Sequence, residues 1–226
     1  MSPVFVTAIG TDSGKTHVSA AILRELVAQG RPALALKPVM SGYSPDALQA
    51  SDAGRLLTAM GRAVSKEAVD EICWMSFTDW LAPNVAARRA GVALDYAALL
   101  GFVQARLRAH GGPALVEGAG GVMSPLTDTH TNLDLAADLG LPVLLLASNY
   151  LGAVSHTLTA LEVLTARELD VTAVVVTETL PNAAPSAPFL EELARWTKIP
   201  LLGARFARTP EDDRVVAAEL VRRLFH

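Results

Sequence analysis

Gly14, Lys15 and Thr16 offer, in consecutive positions, a permissive backbone, a positive charge and a hydroxyl. They close a small polar loop that follows the apolar, β-branched run Val4–Ala8, and a helical pattern begins at Lys15. In a strand–loop–helix setting that trio binds phosphate. Backbone N–H groups of the loop and helix N-terminus face the anion, the lysine supplies charge, and the hydroxyl can ligate Mg²⁺. The full pattern Gly-x-x-x-x-Gly-Lys-[Ser/Thr] is not met, because Ile9 stands where its first glycine belongs and Gly10 lies one residue later. The plainer alternative is an ordinary βα turn with an exposed lysine.

Further residues able to do chemistry follow other apolar runs. In Lys37-Pro38-Val39-Met40-Ser41-Gly42, proline ends a strand and glycine permits a turn, so Lys37 and Ser41 are expected to project from a loop beside the phosphate site. A strand-end lysine is otherwise solvated, and its removal is expected to cost function with little damage to the fold. Ser51-Asp52 precedes a helical pattern and offers either a helix cap or a carboxylate for the site. Glu117-Gly118-Ala119-Gly120-Gly121 sets a carboxylate at a strand end before glycines that let backbone approach a ligand; an exposed glutamate in a glycine turn is the alternative. Thr16, Asp52 and Glu117 together supply the hard oxygens that Mg²⁺ prefers. The stretch Asn149–His156 opens a helix with a small-residue turn, whose unpaired N–H groups can hold a carboxylate or phosphate; His156 reads as packed or solvated rather than catalytic.

These residues need a frame that gathers strand ends. Candidate strands are Val4–Ala8, Ala33–Leu36, Ala114–Val116, Val143–Ala147, Thr172–Thr177 and Pro200–Leu202, with helical patterns between them. One is Leu151–Leu169, where Val154, Leu158, Leu161 and Thr165 share a face. Strands that are apolar throughout imply a parallel sheet covered on both faces, hence an open α/β sheet with ligands at the strand carboxyl ends. Pro181–Pro188 reads as a loop or flexible tip. A chain of 226 residues with no clear linker reads as one domain, 1–226.

Composition narrows the class. Hydrophobic residues are 51% and charged residues 19%, which describes a compact fold rather than a disordered chain. A net charge of −4 gives no electrostatic case for nucleic acid or an anionic membrane as partner. The lone Cys73, between Ile72 and Trp74, suits a reducing compartment and reads as buried. No basic segment followed by a long apolar stretch opens the chain, so a cytoplasmic protein is expected.

Taken together and in order, these motifs resemble the dethiobiotin synthetase family. The resemblance is carried by Thr11–Thr16, Lys37-Pro-Val-x-Ser41-Gly, Ser51-Asp52, Leu115–Gly121 followed by Ser124–Asp128, Leu151-Gly152 with Ser155-His156, and Pro200–Gly203. It implies a single-domain P-loop NTPase-like fold, an open, mostly parallel sheet with helices on both faces. It also implies an ATP- and Mg²⁺-dependent cyclo-ligase of biotin biosynthesis. There, 7,8-diaminononanoate takes up CO₂ as a carbamate, the carbamate attacks the γ-phosphate of ATP, and the second amine closes the ring on the mixed anhydride.

The resemblance implies catalytic roles for Lys37, Lys15 and Thr11. Nucleotide contacts would come from Asp12, Ser13, Gly14, Lys15, Thr16 and His17, from Asp52, and from Glu117, Gly118, Ala119 and Gly120. Base contacts would come from Glu178, Thr179, Phe206, Ala207 and Arg208. Mg²⁺ would be held by Thr16, Asp52 and Glu117, and the diamine or its carbamate by Ser41. The substrate carboxylate would meet the N–H groups of Gly152, Ala153 and Val154, with Ser155 near it, across a homodimer interface. Two departures concern the base: Glu178 stands where relatives usually carry asparagine, and Ala204–Arg208 replaces a proline-containing loop. A glutamate offers acceptors only, so a nucleotide preference other than ATP is open. The rival reading is a nucleotide-switched regulatory ATPase of the partitioning type, disfavoured because Lys15 is the loop's only lysine.

Overall fold

The computed structural model describes residues 3–178, 185–205 and 210–225. In chain order the elements are β1 (Val4–Ala8), α1 (Lys15–Ala28), β2 (Leu34–Leu36), β3 (Val39–Ser41), α2 (Asp52–Ala59), α3 (Lys66–Ile72), β4 (Met75–Phe77) and α4 (Pro83–Arg89). There follow α5 (Tyr96–His110), β5 (Ala114–Glu117), α6 (Asn132–Leu139), β6 (Val143–Ser148), α7 (Ala153–Ala166), β7 (Val171–Glu178), α8 (Ser186–Leu193), β8 (Leu201–Arg205) and α9 (Pro210–Leu224). A short 3₁₀ segment, Pro45–Ala50, leads into α2.

Six strands form one parallel sheet in the order β2-β5-β1-β6-β7-β8. Every residue of β1, β5 and β6 is buried, so the central strands are covered on both faces and read as unbroken apolar runs. From β1 the chain crosses through α1 to β2 on one side, whereas β6 joins β1 on the other. That reversal opens a crevice at the carboxyl ends of β1 and β5, where sheets of this kind bind ligands.

The strands expected from sequence are present with small shifts at their ends. Two short strands were not expected. β3 and β4 pair in parallel, Val39 to Met75 and Ser41 to Phe77, as a separate two-stranded sheet. The residues after Lys37 are therefore a strand and not the loop their Pro and Gly suggested. On α7 the buried face is Ala153, Thr157, Ala160, Leu161 and Leu164, whereas Thr165 of the expected stripe is exposed. Within Pro181–Pro188, residues 181–184 lie outside the described part, and Ser186–Pro188 begin α8 rather than a loop. Proline is tolerated in a first turn because N–H groups there need no intrahelical partner. Cys73 is buried, its thiol donates to the Met75 carbonyl at 3.2 Å, and burial pushes its pKa up to about 12. It is a packing residue.

Candidate active site

The loop between β1 and α1 is built around the displaced glycine. Ser13 Oγ and Lys15 Nζ each donate to the Gly10 carbonyl at 3.2 Å, so this carbonyl anchors both the loop and the lysine. The Thr177 hydroxyl, at the carboxyl end of β7, donates to the Ser13 carbonyl at 3.1 Å and ties the loop to the sheet. Asp12 and Gly14 take left-handed backbone angles, φ 55° and 77°. Gly14 suits that conformation and Asp12 tolerates it through its short polar side chain. Gly14 caps α1 without a side-chain bond, which leaves the first N–H groups of the helix for an anion.

Glu117 is the centre of the site. It ends β5 and is fully buried. Oε1 accepts from Thr16 Oγ1 at 2.7 Å and from Lys37 Nζ at 2.8 Å, while Oε2 accepts from Ser19 Oγ at 2.9 Å. Lys37 Nζ also lies 2.9 Å from Asp52 Oδ2 and donates to the Gly118 carbonyl at 3.3 Å. Far from being a solvated strand-end lysine, Lys37 is buried among carboxylates. Ser51 does cap α2, accepting from Gly54 N–H at 3.0 Å, and the cap places Asp52 at the first helical position, facing Lys37. The cap and the placement of Asp52 against Lys37 therefore coexist.

The charges set each other. Burial alone would lower the pKa of Lys37, but Glu117 and then Asp52 outweigh it and raise it above the ordinary lysine value. Burial would raise Asp52, yet the Lys37 charge and hydrogen bond, with Thr16 beside it, hold its carboxyl below the usual range. Lys15 goes the other way: burial and then the Lys37 charge lower it to about 8, against partial opposition from Glu117, Asp52 and Asp12.

A cavity of about 770 Å³ opens over this cluster. Thr11–His17, Lys37, Ser41, Asp52, Ala119 and Gly120 are among the residues that line it. Thus the phosphate-loop residues, both lysines, Ser41 and Asp52 are brought together as the sequence suggested. Glu117 lies behind them, reaching the site through its hydrogen bonds to Thr16 and Lys37. Gly152, Ala153, Val154 and Ser155, at the start of α7, are not in its wall. His17 lines the cavity with its ring against Asp213 of α9, 2.9 Å away. At the carboxyl end of β7, Glu178 Oε1 accepts from the first N–H of α8, that of Ser186, at 2.9 Å. Thr179, Phe206, Ala207 and Arg208 lie outside the described residues. His156 is bonded to the Tyr150 hydroxyl through Nδ1 at 2.6 Å and stands apart from the cavity.

Several site residues carried no sequence signal. Asn132, the first residue of α6, donates to the carbonyls of Ala119 at 2.6 Å and Gly121 at 2.8 Å and so fixes the glycine loop after β5. Gly118 is required there, since a Cβ would lie 2.6 Å from Asn132 Oδ1. Met40, Trp80, Leu81 and Pro83 give the cavity an apolar lip, and the Trp80 ring lies over Gly42. The Trp80–Pro83 run could have been marked only as an exposed apolar stretch beside a proline.

Asp52 and Glu117 both lie against the Lys37 ammonium and Thr16 bonds Glu117, so a hydroxyl and two carboxylates stand in one cluster. Such donors fit magnesium and exclude a softer metal's preferences. Among the described residues no group of three or more His, Cys, Asp or Glu could hold a metal ion unaided. A magnesium ion there depends on phosphate oxygens and water for the rest of its shell.

A parallel sheet with a glycine–lysine–threonine loop entering α1, a carboxylate at the neighbouring strand end and another at the start of α2, defines a P-loop nucleotide-binding protein. In agreement, a family model described as an AAA domain matches residues 2–211. The chain is 49% identical over 199 residues to the ATP-dependent dethiobiotin synthetase of Phenylobacterium zucineum, covering 88% of this chain and 84% of that one. It is 47% identical to the protein of the same name from Acidiphilium cryptum, covering 86% and 88%, and 50% identical to that from Caulobacter vibrioides, covering 80% and 81%. The chain belongs to the dethiobiotin synthetase family, a family of ATP-dependent ligases.

Proposed function

We propose that this chain makes dethiobiotin from 7,8-diaminononanoate, CO₂ and ATP through a carbamate and a carbamic–phosphoric anhydride. The observation that carries this reading is the placement of two buried ammonium groups, Lys15 and Lys37, in one cavity with Thr16, Asp52 and Ser41. Carbamate and triphosphate are both anionic, and their approach needs positive charge fixed between them. Lys37 suits that task because its carboxylate partners hold its proton firmly; it acts as a fixed charge and not as a base. Lys15, at the start of α1, holds the β- and γ-phosphates together with the free N–H groups of that helix.

Ser41 on β3 and Thr11 at the cavity wall hydrogen-bond the diamine or its carbamate and hold the attacking oxygen toward the phosphoryl group. Asp12, Ser13, Gly14 and His17, with Gly118, Ala119 and Gly120, shape the nucleotide side. Thr16, Asp52 and Glu117 hold Mg²⁺, which when bound neutralises charge on the transferring phosphoryl group. Glu178, Thr179, Phe206, Ala207 and Arg208 contact the base.

A homodimer completes the substrate site in this reading, the carboxylate meeting the N–H groups of Gly152, Ala153 and Val154 near Ser155. Support comes from the open start of α7, which lacks a side-chain cap, and from the fully exposed Leu151 beside it. We take 1–226 as one domain because a single apolar core joins residues from Val4 to Phe225. A cytoplasmic location is proposed from the unpaired, buried Cys73. Among the described residues no helix is long and apolar enough to cross a membrane.

The test incubates the purified protein with diaminononanoate, bicarbonate, Mg²⁺ and ATP, CTP or GTP in turn. Mass spectrometry looks for dethiobiotin while phosphate release is followed in parallel. Product with stoichiometric phosphate is expected. Phosphate release without product, stimulated by another protein, is the outcome of the partitioning-type alternative.

A further inference from the structure

Ser19 lies one turn after Thr16 on α1 and is fully buried. Its hydroxyl donates to Glu117 Oε2 at 2.9 Å, whereas Thr16 and Lys37 both reach Oε1. The two oxygens of one buried carboxylate are therefore held by different donors, Oε2 by Ser19 within α1 and Oε1 by Thr16 and Lys37, which line the cavity. A hydroxyl at this place is not explained by packing. Its neighbours Val18, Ala20 and Ala21 are apolar, and alanine is the better helix former.

We propose that Ser19 is a positioning residue: by occupying Oε2 it fixes the plane of Glu117 and presents Oε1 alone to the cation and to Lys37. This rests on reading Glu117 as a magnesium ligand. A buried carboxylate oxygen without a donor is costly, so removal of the hydroxyl leaves Oε2 unpaired beside α1. The carboxylate then turns to share the remaining donors, Thr16 and Lys37, between its oxygens. The oxygen offered to the cation is displaced, while Lys37 keeps its contacts with Asp52 and the Gly118 carbonyl. Loss of such a supporting bond behind a metal ligand weakens metal affinity by about 10- to 100-fold.

The experiment measures binding of a fluorescent, non-hydrolysable ATP analogue to the full chain, with and without Mg²⁺. Ser19→Ala is expected to weaken binding about tenfold in Mg²⁺ and to leave metal-free binding unchanged. Ser19→Thr keeps the hydroxyl and is expected to recover most of the loss. In a Glu117→Ala background, Ser19→Ala is expected to cost nothing more, because the carboxylate it bonds is gone. An equal loss with and without Mg²⁺, no loss at all, or an undiminished cost in the Glu117→Ala background would each overturn the proposal. Because the readout needs no diamine, failure to form dethiobiotin would count against the proposed reaction alone. Full Mg²⁺ dependence in Glu117→Ala would remove the cation reading and this inference with it.

Discussion

Oε1 of Glu117 lies 2.8 Å from Nζ of Lys37, and the two side chains are 0% and 4% exposed. Neither charge has water to fall back on, so each is present because of the other. Breaking a buried pair by removing one partner typically costs about 3–5 kcal/mol. Lys37→Ala is therefore expected to abolish turnover and also to destabilise the fold, contrary to what a strand-end lysine suggests from sequence. The deficit has a pH signature. Asp52 is held below its ordinary pKa by Lys37, so its share of stability is present above the unfolded value, ~4, and is lost as pH falls through the folded one. Urea melts of both proteins should differ by a nearly constant amount above about pH 4 and converge below it, as Asp52 protonates. An equal gap at pH 2.5 and pH 7 would count against the pair as the cause.

Lys15 titrates within reach of ordinary buffers. With its pKa lowered to about 8 by burial and the Lys37 charge, it is partly neutral in the free protein just above that pH. A bound triphosphate favours the charged form, so binding takes up a proton there, and affinity falls as pH rises past about 8. Calorimetry at pH 8.5 in buffers of different ionisation enthalpy should register this uptake. Lys15→Arg, charged at every pH used, should flatten the dependence. A wild-type affinity constant between pH 7 and 9.5 would contradict the shift.

Gly54 shows how closely the backbone approaches behind the site. A Cβ built on it would lie 2.0 Å from the Leu48 carbonyl oxygen and 2.9 Å from Gln49 Cα, both backbone atoms of the 3₁₀ segment. In an open helix Gly→Ala is worth about 1 kcal/mol of stabilisation; here the sign reverses. Gly54→Ala must push α2 off the segment that precedes it. The Ser51 cap bond to Gly54 N–H is lost, and Asp52 moves away from Lys37. We expect destabilisation of about 1–3 kcal/mol in urea, with weaker Mg²⁺-dependent nucleotide binding. Unchanged stability would mean that the close approach relaxes without cost.

What the sequence disclosed and what it hid divide along a physical line. Runs buried on both faces, such as Val4–Ala8 and Val143–Ser148, are legible because burial alone dictates their composition. So are residues whose chemistry is concentrated in a short motif, Lys15, Lys37, Asp52 and Glu117. The short pair β3 and β4 was hidden, since three residues each carry too little pattern and Pro38 with Gly42 mimics a loop. Ser19 and Asn132 were hidden for another reason. Each acts through one hydrogen-bonded neighbour brought near by the fold, and an isolated serine or asparagine in a helix has no spacing to betray it.

Glu178, the last residue of β7, is one of the residues proposed to contact the base. Its carboxylate offers acceptors only, and Oε1 already accepts from Ser186 N–H at the start of α8. A carboxylate can take a hydrogen from the amino group of adenine but has none to give the adjacent ring nitrogen. Asparagine keeps a carbonyl for the Ser186 N–H and adds an amide donor, at little cost to the anchoring of α8. Glu178→Asn is accordingly expected to sharpen the preference for ATP over CTP and GTP without a large change in melting temperature. Relative rates of phosphate release with the three nucleotides check this directly. Identical ratios in the variant and the parent would show that residue 178 supports α8 and does not read the base.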